Sequence, residues 1–186
     1  MKLIAALLLL IVLAFAARSV WLSFRAQSPA DYAGTEPAFS LQRHLSGDLL
    51  CEGIIYGPTG RVTSRFTARM VGDWEGDTGT LTEAFTYANG RTQNRKWTLL
   101  MQDATHFTAT ADDIIGEARG ELSGATLKMS YRIRLPEDAG GHVLDATDWL
   151  YLTGDGVIIN RSEMRKFGIK VAELIATMRP APTAPE

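Results

Sequence analysis

The sequence predicts an all-β protein: a single antiparallel β-barrel of about nine or ten strands after an N-terminal hydrophobic helix. Three observations predict it. Segments whose side chains alternate between apolar and polar follow one another through most of the chain, as half-buried strands require. The 17 glycines fall largely between those segments, where tight turns use them. Nothing in the body of the chain is helical enough to cover an open sheet. Such a sheet would leave a long exposed edge, so closure into a barrel is the physical expectation. A two-sheet sandwich is the structural alternative.

Residues 1–24 read as a signal anchor or signal peptide. Lys2 precedes an unbroken apolar run from Leu3 to Ala17, long for a signal core and short of the roughly 20 residues of a full span. Ala14-Phe15-Ala16 has the small-x-small form of a cleavage site. Val20-Trp21-Leu22-Ser23-Phe24 extends the apolar stretch past Arg18, with Trp21 suited to a lipid interface. An uncleaved anchor is favoured over a cleaved signal, and export from the cytoplasm is expected either way. Residues 25–38 read as a polar linker and 39–179 as the barrel. Residues 180–186 form a Pro/Ala-rich tail with no means of packing.

Within the barrel, Phe39 to Leu45 has the pattern of one helical turn. Leu49 to Tyr56 reads as a strand ending at a Gly57-Pro58-Thr59-Gly60 turn. Arg61 to Val71 alternates, with Val62, Phe66, Ala68 and Met70 on one face and Arg61, Arg65 and Arg69 on the other. Gly72 to Asp77 reads as a loop leading into a hairpin from Thr80 to Met101. His106 to Ala111 is the next arm. Ile114 to Leu122 reads as one strand whose face of small residues, Gly116, Ala118 and Gly120, bends or lies beneath other side chains.

Thr126 to Leu135 turns Leu127, Met129, Tyr131, Ile133 and Leu135 inward. After a loop from Pro136 to Gly141, His142 to Leu152 and Val157 to Ser162 form another hairpin. Glu163 to Phe167 reads as a short turn before a closing strand. The spacing of Met164, Phe167, Val171, Leu174 and Met178 also suits a helix face.

The hairpin at Ala88-Asn89-Gly90 carries the strongest local signal, since Asn-Gly between alternating arms favours a tight turn. A two-residue turn would set Glu83 opposite Lys96. A three-residue loop with Gly90 left-handed and a bulge sets Glu83 opposite Arg95, Leu81 opposite Trp97 and Tyr87 opposite Arg91. The second register gathers the large residues on one face and pairs the charges, so it is preferred.

These residues also carry a resemblance. Trp74-Glu75-Gly76, then Glu83, Phe85, Tyr87, Gly90, Arg95 and Trp97 resemble the bacterial family called domain of unknown function 3833. So do Ala111-Asp112-Asp113 with Gly116 and Gly120, Asp148-Trp149, and Asn160-Arg161-Ser162 followed by Met164, Lys166, Phe167 and Gly168. The resemblance covers roughly Phe39 to Arg179. It implies a lipocalin-like barrel and an envelope protein, with lipid handling suggested and no activity assigned. Many members are lipoproteins, whereas this chain lacks the lipid-acceptor cysteine after its apolar run. Thr147 stands where members often carry a second Asp, and Ala125 where an Asn is common. The implied location is the bacterial cell envelope, on the periplasmic side of the inner membrane if anchored or in the periplasm if cleaved.

For a site, Glu83 and Arg95 can orient a ligand's polar head, with Tyr87, Trp97 and Tyr131 lining the wall. A buried ion pair that only pins register is the plainer reading of the same residues and is preferred. Asp112 and Asp113 read as a solvated turn; a cation shared with Asp148 is the alternative, though no calcium-loop spacing supports it. Asn160 and Arg161 are expected to reach across the barrel end to Trp74 or Trp149 as a structural closure. The three histidines are scattered, and no nucleophile, metal or phosphate motif is present. No catalytic residue, metal or cofactor is therefore assigned.

Lys and Arg number 19 against 21 Asp and Glu, a net charge of −2, which offers no footprint for nucleic acid. Cys51 is the single cysteine, so it forms no internal disulfide and reads as a small core residue. The expected function is binding of a small apolar or amphiphilic molecule such as a fatty acid derivative, by a protein held at the membrane through its N-terminal helix. An enzyme of membrane-lipid modification, or a filled barrel that docks a partner, are the alternatives.

Overall fold

The computed structural model of the chain describes residues 2–182. Ten strands run in order: β1 (Gly47–Tyr56), β2 (Val62–Glu75), β3 (Thr78–Tyr87), β4 (Thr92–Met101), β5 (His106–Thr110), β6 (Ala118–Ser123), β7 (Thr126–Arg134), β8 (Val143–Leu152), β9 (Ile158–Lys166) and β10 (Ile169–Pro180). Each pairs antiparallel with its neighbours in sequence, and β10 returns to β1, closing the barrel. The meander leaves no free sheet edge, which is how an all-β chain of this length escapes edge-to-edge association.

Alternation decides which side chains enter the barrel. Along β2, Phe66, Ala68 and Met70 are buried while Arg65, Thr67 and Arg69 are exposed. Val62, expected on the inward face, lies at the strand's start and is exposed. Gly120 on β6 shows why small residues were needed there. The ring of Phe107 lies so close over it that a Cβ would come within 2.0 Å of the ring.

One barrel end is a closed floor. Helix α2 (Leu41–His44) lies across it, with Leu41 and Leu45 buried and the indole of Trp74 donating to the Leu45 carbonyl. Ser40 caps α2 by accepting from the Arg43 N–H. The opposite end carries the β3–β4 turn, the β5–β6 loop and the β7–β8 loop.

Helix α1 (Lys2–Trp21) precedes the barrel, and its large apolar side chains from Leu3 to Leu13 are exposed. Among the described residues, no helix is long and apolar enough to cross a membrane. The expected membrane anchor is therefore without support from the fold. The polar segment that follows does not hang free. Tyr32 packs its ring against Trp149 at 5.2 Å and Tyr151 at 5.8 Å on the outer wall, and the Tyr32 and Tyr151 hydroxyls both donate to Gln27 Oε1. Ser123 Oγ donates to the Pro29 carbonyl at 2.6 Å. Two aromatic residues on the outward face of β8 need cover, and this strap supplies it.

Several element boundaries differ from expectation. β2 continues through Glu75, so most of the expected 72–77 loop is strand, because Gly72 to Glu75 pair with Thr78 to Leu81. Ile114 to Leu122 is not one strand. Residues 111–117 form a loop held by an isolated bridge between Ile114 and Ile133, and β6 starts only at Ala118. Glu163 to Lys166 belong to β9; the turn falls at Phe167-Gly168, both with positive φ (52° and 78°). β10 is a strand, its pairing on both sides outweighing the helical spacing of its apolar residues. It reaches Pro180, and Ala181 N–H donates to Asp48 O, so pairing enters the expected tail. Residues 183–186 lie outside the described residues.

Candidate functional site

The barrel is hollow. A cavity of about 500 Å³ opens at the end opposite α2, within the range of small-molecule sites. Its walls are mostly apolar, and Leu41 and Leu45 contribute to its floor.

Strand β3 lays out the wall in layers. Tyr87 and Phe85 lie toward the mouth, Glu83 in the middle and Leu81 toward the floor, because every second residue faces inward. The β3–β4 turn fixes what faces them. Gly90 takes φ 84°, Tyr87 N–H donates to Arg91 O, and Glu83 stands opposite Arg95 with Leu81 opposite Trp97. The preferred three-residue loop and its register are thus present.

Arg95 is the hub of a buried polar cluster. Its Nη1 lies 3.7 Å from Glu83 Oε2, an ion pair too long for a hydrogen bond. Its Nε and Nη2 both donate to Asp113 Oδ2, at 3.0 and 2.6 Å. The guanidinium also lies over the rings of Trp97 and Phe85, at 5.7 and 6.0 Å. On the facing wall Tyr131 donates to Asp148 Oδ2 at 3.0 Å and packs edge-on against Trp97. Ser162 stands directly across from Asp148 in the β8–β9 register.

Burial dominates the electrostatics. It pushes Glu83 from the usual 4.5 up to about 7, the attraction of Arg95 and Trp97 offsetting only part of the effect while Asp148 and Asp113 add to it. Burial also raises Asp148, against the opposing influence of Ser162, Tyr131 and Arg95. It raises Tyr131 well above the usual phenol value, so this hydroxyl is a fixed donor. For Arg95 burial works the other way, but Glu83, Tyr131 and Asp113 together hold the guanidinium firmly charged. Three oxygens in the cluster are buried without a hydrogen-bond partner: Glu83 Oε2, Asp113 Oδ1 and Asp148 Oδ1. Cys51 also lines the cavity, and burial pushes its thiol up to about 12, which leaves it inert.

At the mouth, Arg91 Nη1 donates to both carboxylate oxygens of Asp138, at 2.9 and 3.0 Å. The pair links the β3–β4 turn to the β7–β8 loop across the opening. Arg91 also lies 4.6 Å over the Tyr87 ring.

All five residues expected at a ligand site, Glu83, Tyr87, Arg95, Trp97 and Tyr131, line this cavity. The four expected at a barrel closure are not brought together. Trp74 braces α2 at the floor. Trp149 and Arg161 face each other across β8 and β9 but on the outer surface, where Arg161 pairs with Glu173 and covers the ring of Phe24. Asn160, one residue away, points into the cavity. Alternation forbids residues 160 and 161 from sharing a face.

Asp113 was expected in a solvated turn, yet the β5–β6 loop folds it onto Arg95. Its loop position gave no signal of this. Asp148 did carry one: it falls in register with the inward Leu144, Ala146, Leu150 and Leu152, a carboxylate on an apolar face like Glu83. Among the described residues no group of His, Cys, Asp and Glu side chains is placed to hold a metal ion.

A family model described as a protein of unknown function (DUF3833) matches residues 19–180. No protein of curated function matches the sequence. Among solved structures, the crystal structure of Rv2717c from M. tuberculosis is similar at 17% identity, covering 80% of this chain and 99% of that one with a TM-score of 0.53. That likeness supports the barrel fold and nothing further. A redesigned β-barrel, mFAP1, bound to DFHBI is similar at 10% identity over 74% of this chain and 95% of that one, with a TM-score of 0.39.

Proposed function

This chain belongs to the DUF3833 family of proteins of unknown function, and from its cavity we propose that it is a carrier or sensor of a small amphiphilic molecule. The observation behind this is the open cavity of about 500 Å³, apolar along most of its wall and polar in its middle layer. A barrel serving only as a scaffold has no use for a hollow core, since filling it would add packing energy. Nor does a register-pinning ion pair need two further carboxylates brought to it from β8 and the β5–β6 loop. The mixed wall suits a molecule with an apolar body and one polar end.

The barrel is proposed to work outside the cytoplasm, in the bacterial envelope. Its support is the apolar N-terminal run, whose exposed side chains on α1 have no place against the barrel.

A second reading rests on Glu83. A carboxyl group that titrates near neutrality inside an apolar cavity is suited to proton transfer on a bound substrate. That reading predicts loss of a cellular lipid product in Glu83→Gln with the fold intact, whereas a carrier loses only its cargo.

The test of binding is a titration of the full chain with the neutral fluorophore Nile red. A saturable site near one per chain is expected. Leu174→Trp, which intrudes into the cavity from β10, should weaken it at least several-fold while the far-UV circular dichroism stays unchanged. Binding left unchanged by this obstruction would place the dye on α1 or the outer wall and overturn the proposal.

A further inference from the structure

We infer that the polar end of the bound molecule is a cationic hydrogen-bond donor, such as a protonated primary amine, and not a carboxylate. This deepens the carrier reading and rests on it. The cluster holds three carboxyl groups, Glu83, Asp113 and Asp148, around one guanidinium. Arg95 commits its Nε and Nη2 to Asp113 and sets Nη1 3.7 Å from Glu83, so its single positive charge is already shared between two carboxyl groups. Among the described residues, the buried side-chain atoms left without a hydrogen bond are all carboxyl oxygens: Glu83 Oε2, Asp113 Oδ1 and Asp148 Oδ1.

Glu83 and Asp148 are only 8% and 6% exposed and both line the cavity, and the protein itself leaves an oxygen of each without a donor. A buried acceptor without a donor is unfavourable, and a buried excess of negative charge more so. A carboxylate head would add a further acceptor and further negative charge to a set that already holds three carboxyl groups. An ammonium brings three donors and a positive charge in a single group. The apolar body then has room toward the floor or the mouth.

The test displaces Nile red from the unmodified full chain with dodecylamine, dodecanol and laurate at pH 7.5, each below its micelle concentration. The inference predicts that dodecylamine displaces the dye at a concentration at least about tenfold lower than laurate or dodecanol, a difference of roughly 1.4 kcal/mol. In Glu83→Gln the preference for dodecylamine over dodecanol should shrink towards parity.

Laurate binding as well as or better than dodecylamine would overturn the inference and leave the carrier reading standing. Dodecanol matching dodecylamine would do the same, since protonated acids would then be recognising a neutral head. Displacement by none of the three would overturn the carrier reading and this inference together. Because the three-way comparison uses the unmodified chain, it stands whether or not the variant folds.

Discussion

Glu83 is the residue on which most depends. Its folded-state value near 7 lies above the usual 4.5, so between those values the folded chain holds a proton that the unfolded chain has released. The stability linked to this group is therefore complete below about pH 4.5 and is lost as pH rises through about 7. Arg95, Trp97, Asp113, Asp148, Tyr131 and Cys51 are the groups that interact with it across the lumen. Denaturant melts of the full chain at intervals from pH 5 to 8 should show this decline, amounting to a few kcal/mol. Glu83→Gln should flatten it. A second single-residue prediction concerns Tyr131, whose hydroxyl serves Asp148 Oδ2 while Oδ1 already lacks a partner. Tyr131→Phe leaves both oxygens unserved and should destabilise the fold by about 1–3 kcal/mol in the same melts. An unchanged midpoint would mean that Asp148 is protonated and satisfied in another way.

At the scale of elements, the hairpins differ in how far they could be read from the chain. The β3–β4 register followed from Asn89-Gly90 and two alternating arms, because a local turn and a local pattern decide it. The β9–β10 turn escaped because it sits on Phe167-Gly168, and Phe is a poor candidate for φ 52°. Phe167 is also 90% exposed, so it gains little from burial in return. Phe167→Gly should relieve the left-handed strain and stabilise the chain by roughly 1 kcal/mol, read as a raised melting midpoint. The Arg91–Asp138 contact makes a different prediction. With Asp138 60% exposed, the pair contributes about 1 kcal/mol or less, so Arg91→Ala should barely move the midpoint. Standing across the mouth, it should instead slow passage; stopped-flow release of Nile red should be several-fold faster in Arg91→Ala.

For the whole molecule, the class of fold was legible because closure answers a problem that every long run of alternating strands poses. What stayed hidden came from contacts between distant parts of the chain. Asp113 reaches Arg95 only because the β5–β6 loop is tethered to β7 through Ile114 and Ile133. The segment after α1 looked like a linker because its few aromatic residues show no periodicity, although Tyr32 and Phe24 cover the outer wall. Neither arrangement has a local pattern to announce it. The hollow interior is likewise a property of the closed barrel, since the same inward residues in a sandwich would interdigitate.

The cavity is expected to hold one amphiphilic molecule. The direct measurement is mass spectrometry of the organic extract from full chain isolated under native conditions, alongside Leu174→Trp isolated in the same way. A single class of amphiphile is expected, close to one molecule per chain and bearing an amine, that is depleted in the obstructed variant. A chain that yields no such molecule, or one retained equally by Leu174→Trp, would contradict it.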